Sequence, residues 1–145
     1  MTQRSIRSIV EHREIITAPK TMTVSQAAGA MREKKAGAIL IVEDGRLAGI
    51  FTERDALFRV VAEGLDPKTT RLADVMTRNP RTIHADRPFA EALQIMHDGG
   101  FRNVPVVENG LPVGLVSCSD ALGPELKDFV LELLRQDQAY DVLPG

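Results

Sequence analysis

The chain has 145 residues, enough for one compact unit that buries roughly 68–70% of its unfolded surface. With 43% hydrophobic, 26% charged and only 4% aromatic residues, it has a globular composition whose core must be built from Val, Ile, Leu, Ala and Met. A formal net charge of −2, no apolar run longer than "AGAILIV" at 36–42 and a single cysteine argue against duplex nucleic acid, an anionic membrane surface, a membrane span and a disulfide framework.

Residues 1–12 read as an N-terminal segment without the apolar core of a secretory signal, so a reducing, cytoplasmic setting is expected. "REIITAPK" follows as a short leading strand. In "TVSQAAGAMREKKAG", Val24, Ala27, Ala28 and Met31 share one helix face at i, i+3, i+4 and i+7. "AILIV" and "LAGIF" flank Asp44-Gly45, which predicts a hairpin. Thr52 then opens a helix, "TERDALFRVVAEG", that Gly64 and Pro67 stop. Residues 66–73 read as a linker, within "LDPKTTRLADVMTRNP", carrying one short helical turn.

The same order then returns. A leading strand near Thr82 and Ile83 precedes a helix with Phe89, Ala92, Leu93 and Met96 on one face. "NVPVV" and "PVGLV" flank the turn at Asn109-Gly110, and a further helix starts near Ser117. Residues 124–145 hold an amphipathic helix: Pro124 suits its first turn, and Leu126, Phe129, Val130, Leu133 and Leu134 form a stripe. That stripe must be covered by its own module, a second subunit or an effector protein.

The two halves share a phrase. "GIFTERDAL" runs from Gly49 to Leu57, and "GLVSCSDAL" repeats it 65 positions on, from Gly114 to Leu122. At that offset Thr17 matches Thr82, Ala27 matches Ala92, Met31 matches Met96, and Val42-Glu43 matches Val107-Glu108. About fifty residues are therefore duplicated, which points to a pseudo-two-fold axis.

"ADVMTRNPRTI", "AILIVEDGRLAGIFTERDAL" and "FRNVPVVENGLPVGLVSCSDAL" resemble a tandem pair of CBS domains, a Bateman module, over residues 13–123. The resemblance implies an α/β (α+β) fold of two β-α-β-β-α repeats, at 13–65 and 74–123. It also implies pairing into a homodimer and a regulatory role, in which an adenosyl compound such as AMP, ADP or ATP binds in clefts between the repeats.

The resemblance places a ribose clamp at Thr52 and Asp55, and another at Ser117 and Asp120. A hydroxyl beside a carboxylate matches the two adjacent ribose hydroxyls. Thr-x-x-Asp and Ser-x-x-Asp are equally capping boxes, in which both side chains serve only the helix end. By resemblance Ile16, Thr17, Ala18, Thr82 and Ile83 contact adenine, although Ile16 and Ile83 also suit plain core packing. Arg102, Asn103 and Arg54 are the phosphate candidates; their counterparts Gly37, Ala38 and Ser119 are uncharged, so the two clefts are expected to be inequivalent.

Cys118 sits where a helix end can lower a thiol pKa, or is a tolerated small residue. His12, His84 and His97 lack metal-ligand spacing. No nucleophile–base pair or phosphate-cradling glycine loop occurs, so no enzyme is expected. With few aromatics for stacking, single-stranded nucleic acid is a poor partner. The expected function is a nucleotide sensor acting on an unknown effector; the alternative is a ligand-free oligomerisation or adaptor unit.

Overall fold

The structure, a computed structural model, describes residues 4–141. Ser5 caps a short helix, α1 (Ile6–Val10), its hydroxyl accepting from the Ser8 amide at 3.3 Å. Strand β1 (Thr17–Ala18) leads into α2 (Val24–Lys34), whose start is a reciprocal box between Thr23 and Gln26. The hairpin of β2 (Ala38–Glu43) and β3 (Arg46–Thr52) turns at Asp44 and Gly45, whose φ values of 52° and 77° are those of a type I′ turn. Helix α3 (Glu53–Asp55) continues as a π-helical stretch, Ala56–Val61. Then come α4 (Leu72–Val75), β4 (Thr77–Arg78), β5 (Ile83–His84) and α5 (Phe89–Gly99). The hairpin of β6 (Asn103–Glu108) and β7 (Leu111–Ser117) turns at Asn109 and Gly110, with φ 53° and 79°. A 3-10 turn, Cys118–Asp120, and α6 (Gly123–Asp141) complete the order.

One sheet runs β1-β2-β3-β4 and the other β5-β6-β7. The 65-residue offset survives in the pairing. Ala18 lies beside Ile41 in the first sheet and Ile83 beside Val106 in the second, and both hairpins slip register at equivalent points, Ile41/Val42 and Val106/Val107.

Four features depart from expectation. The helix expected at Ser117 is a single 3-10 turn, because Pro124 has no amide to donate to the Asp120 carbonyl one turn back; Ala121 is already extended at ψ 130°. The first repeat has Arg59 at that place and continues helically. Ala28, expected on the buried face of α2, is exposed, and Ala30 packs toward the core instead. Helix α1 and strand β4 were not legible as elements. The stripe on α6 is covered only in part: Phe129 packs on α5, edge-on to His97 at 6.0 Å, while Leu126, Val130 and Leu134 stay about half exposed.

The core has two main parts, and each borrows from the other half of the chain. Helix α1, at the start of the first half of the chain, buries Ile6, Ile9 and Val10 among Phe89, Leu93, Val104 and Val116 of the second half. Helix α4, at the start of the second half, gives Leu72 and Val75, followed by Met76, to the core of the first half, beside Met31, Ile39 and Phe51. A third cluster of Ala38, Leu40 and Ile50, with Leu47 and Leu115 against it, joins the two sheets.

The glycine of the duplicated phrase belongs to this exchange. A Cβ on Gly114 would sit 2.6 Å from Val10 Cβ, and one on Gly49 would sit 2.7 Å from Met76 Sδ and 2.9 Å from the Thr77 carbonyl. Only a bare backbone lets the exchanged residues close. Gly114→Ala should therefore lower stability by about 2 kcal/mol in urea denaturation. In a Val10→Gly background the same change should cost clearly less, since the Cβ and both methyls it strikes are gone.

Candidate functional site

Both copies of the duplicated phrase end a β-strand and open a helical tip. At the first tip the Asp55 amide donates to Thr52 Oγ1 at 3.2 Å, and the Thr52 amide donates to Asp55 Oδ2 at 3.0 Å. Asp55 Oδ1 faces the Thr77 hydroxyl and Arg59 Nε, each at 3.5 Å, and the residue is only 9% exposed. At the second tip the Ser117 amide donates to Asp120 Oδ2 at 2.8 Å, while Ser117 Oγ lies 2.6 Å from Ser119 Oγ. Here Asp120 Oδ1 is met not by a threonine but by the Arg13 guanidinium, at 2.8 Å. Arg78, the repeat counterpart of Arg13, turns away and donates to the Ala73 carbonyl.

Each tip is also tied to the start of its own hairpin. The Glu53 amide donates to the Gly37 carbonyl at 3.1 Å, and the Cys118 amide to the Arg102 carbonyl at 3.0 Å. A Cβ on Gly37 would meet only Glu53 Oε1 closely, at 2.6 Å, the end of an exposed side chain that can turn aside.

Two adjoining cavities lie between the repeats. One, of about 410 Å³, is lined by Arg13, Ile16, Lys34, Asn103, Ser117 and Asp120, among others. Its neighbour, of about 660 Å³, is lined by Thr52, Arg54, Phe58, Phe101, Arg102 and Cys118. Lys35, Gly37, Asn103, Ser117 and Ser119 border both. Each volume falls in the range of small-molecule sites.

The sequence-derived residues separate accordingly. Ser117, Asp120, Ile16 and Asn103 meet in the smaller cavity; Thr52, Arg54, Arg102 and Asn103 meet in the larger. Asp55, Ala18 and Ile83 line neither of the two: Asp55 is enclosed by its cap, and Ala18 and Ile83 belong to the core. Thr17 and Thr82 are exposed. Arg54 donates to the Gly100 carbonyl at 3.1 Å and lies over the Phe58 ring. Arg102 lies near the half-buried Cys118 sulfur and then Glu53, and negative charge on these groups pushes its guanidinium pKa up. Sequence reading missed Arg13, Lys34 and Lys35. All three reach the cavity from segments distant in sequence from Ser117 and Asp120. Lys35 carried a local signal, standing where the other repeat has Gly100.

Helix α6 is joined to the second tip through Arg4. Its guanidinium donates to the Asp120 carbonyl at 2.8 Å, pairs with Glu125 at 2.7 Å and lies over the Phe89 ring at 5.4 Å. Desolvation pushes the Glu125 carboxyl up, but the Arg4 pair and the Leu122 amide outweigh it and leave the carboxyl below its usual range.

Profiles of the CBS domain match residues 6–62 and 72–123. The chain belongs to the CBS-domain family. Its nucleus is a CBS-domain pair, the unit of a family of regulatory modules. The CBS domain-containing protein CBSCBSPB3 of Arabidopsis thaliana is 41% identical over 108 residues, covering 74% of this chain and 19% of that protein. The chain thus spans about a fifth of the length of that relative. The CBS-domain containing protein ATU1752 from Agrobacterium tumefaciens matches at TM-score 0.74 and 29% identity, over 86% of this chain and 98% of that one. The CBS domain protein PAE2072 from Pyrobaculum aerophilum, solved in complex with AMP, matches at TM-score 0.75 and 24% identity, over 86% and 97%. Among the described residues no helix is long and apolar enough to cross a membrane.

The Glu125 environment gives a signed pH prediction. A carboxyl whose pKa is lower folded than unfolded contributes fully above its unfolded value, about 4.3, and loses that contribution as pH falls through the folded value. Glu125→Gln should cost about 1 kcal/mol at neutral pH and flatten the acid limb of the stability curve below about pH 4.3. Urea midpoints across pH 3–7 measure both.

Proposed function

We propose that the CBS pair is a nucleotide-responsive regulatory module that takes an adenine nucleotide in the cleft formed by Ser117 and Asp120. The observation that carries this reading is the meeting of four sequence-derived residues in one cavity: Ser117, Asp120, Ile16 and Asn103. The Asp120 carboxylate retains accepting capacity beyond the Ser117 amide and Arg13, which suits a ribose diol. Ile16 supplies apolar wall, and the continuous larger cavity carries Arg54 and Arg102 where phosphates would extend. The AMP complex of the Pyrobaculum protein supports the ligand class.

The first tip is a weaker site on the same grounds, because Asp55 is occupied by Thr52, Thr77 and Arg59. That same occupation supports the ligand-free adaptor as a second reading, in which both boxes serve only as helix ends. We further propose that a second copy covers the exposed strips at Leu57, Phe58 and Val61 and at Leu122, Leu126 and Val130. Leu57 and Leu122, and Val61 and Leu126, fall at repeat-equivalent places, with Phe58 and Val130 beside them, and suit an isologous pair. Regulation through ligand then requires that the bound and free arrangements of the module, or of that pair, differ in affinity for the nucleotide.

Thermal unfolding with AMP, ADP and ATP tests the reading. A ligand at about 100 times its dissociation constant adds ~2.7 kcal/mol, a rise of roughly 5–10 °C for a chain of this size. Asp120→Ala should abolish the rise. The adaptor reading predicts no rise for any nucleotide and only about 1 kcal/mol of lost stability in Asp120→Ala.

A further inference from the structure

Lys35 closes α2 in the left-handed backbone region, at φ 52° and ψ 42°. Among the described non-glycine residues only Asp44, Asn79 and Asn109 share a positive φ, and short polar side chains tolerate it far better than lysine does. The cap itself asks for no side chain. At the equivalent position Gly100 adopts φ 71° and closes α5 with the same pair of bonds: residue 35 or 100 donates to the carbonyl of Arg32 or His97, and the next amide to that of Met31 or Met96. Nor is the lysine needed for the helix dipole, since Arg32 and Lys34 already supply positive charge in ordinary helical backbone. The fold therefore carries a strained lysine where its own second repeat uses glycine.

What distinguishes Lys35 is its position. It borders the Ser117–Asp120 cavity and the arginine-lined cavity, at the junction between them. Neighbouring cations are engaged: Lys34 with Glu14 at 2.9 Å, Arg13 with Asp120 and Arg54 with the Gly100 carbonyl. Lys35 has no carboxylate within ion-pair distance among the described residues. Backbone strain retained beside a ligand cleft, on an uncommitted cation, is a mark of function rather than of packing.

We propose that Lys35 is the specificity residue of the cleft: it contacts the phosphate of a bound nucleotide at the junction and so selects phosphorylated over unphosphorylated adenosine. The proposal rests on the nucleotide reading of the Ser117–Asp120 cleft and adds to it a residue and a direction of selectivity. A compact ammonium with three donors suits a phosphate leaving the ribose toward Arg102.

Three chains decide it: wild type, Lys35→Ala and Lys35→Gly, each titrated calorimetrically with ADP and with adenosine and melted without ligand. Losing one charge-assisted contact should weaken ADP binding by about tenfold or more in both variants and leave adenosine affinity unchanged. Lys35→Gly alone should also raise the melting temperature, because it relieves the left-handed backbone that Lys35→Ala retains. Wild-type ADP affinity in both variants overturns the proposal and leaves the nucleotide reading standing. So does a parallel loss of adenosine affinity, which would mark a collapsed cleft. No binding of ADP or adenosine by the wild-type chain overturns the nucleotide reading itself, and this inference with it.

Discussion

Val10 seated on Gly114 and Met76 seated on Gly49 are the contacts on which the rest of the molecule depends. Each repeat has a hairpin, a short parallel strand and one long helix, which leaves an apolar sheet face that its own elements do not close. The closing residues come from the segment leading into the other repeat: Ile6, Ile9 and Val10 in one direction, Leu72, Val75 and Met76 in the other. Neither half has a complete core alone. A methyl group at either glycine would hold the exchanged segment away from the sheet, and close packing makes even that displacement expensive.

The exchange also builds the cleft. By anchoring α1 on the second repeat it delivers Arg13, three residues beyond Val10, to the Asp120 carboxylate. Residues Ile15 and Ile16, continuing into β1, then form the wall beside Ser117. The equivalent path from α4 ends differently: Thr77 is drawn into β4 on the edge of β3, its hydroxyl faces Asp55, and Arg78 is directed back to Ala73. Two nearly identical helix tips thus acquire different surroundings. One carboxylate is enclosed by its cap, Thr77 and Arg59, and the other faces a cavity through an exchangeable ion pair. Pro124 adds to the difference by cutting the second tip to a single turn, so that α6 begins afresh and is joined back through Arg4 and Glu125.

Much of this was legible in the residues. The two Asx-Gly turns, the face of α5, that of α2 apart from Ala28, and the 65-residue offset follow from local rules of backbone and burial, and those rules hold here. The exchange was not legible. Ile6, Ile9 and Val10 match Leu72, Val75 and Met76 only at an offset of 66, one residue out of step with the rest, and helices of five and four residues carry too little periodicity to declare themselves. Strand β4, at two residues, cannot display an alternation. The Thr-x-x-Asp and Ser-x-x-Asp boxes could be located but not told apart, because what separates Asp55 from Asp120 is a non-local partner, Thr77 in one case and Arg13 in the other. Lys35 was overlooked for a related reason: a lysine against a glycine looks like drift until the backbone angle is known.

The account's central claim is that a nucleotide binds between the repeats, against the second helix tip. The most direct measurement is an amide chemical-shift titration of the nitrogen-15-labelled chain with ADP. The account predicts saturable shifts clustered at Ile15–Ile16, Lys35–Ala38, Asn103 and Ser117–Asp120. No shifts at millimolar ADP, or shifts confined to the exposed strips around Val61 and Leu126, would contradict it.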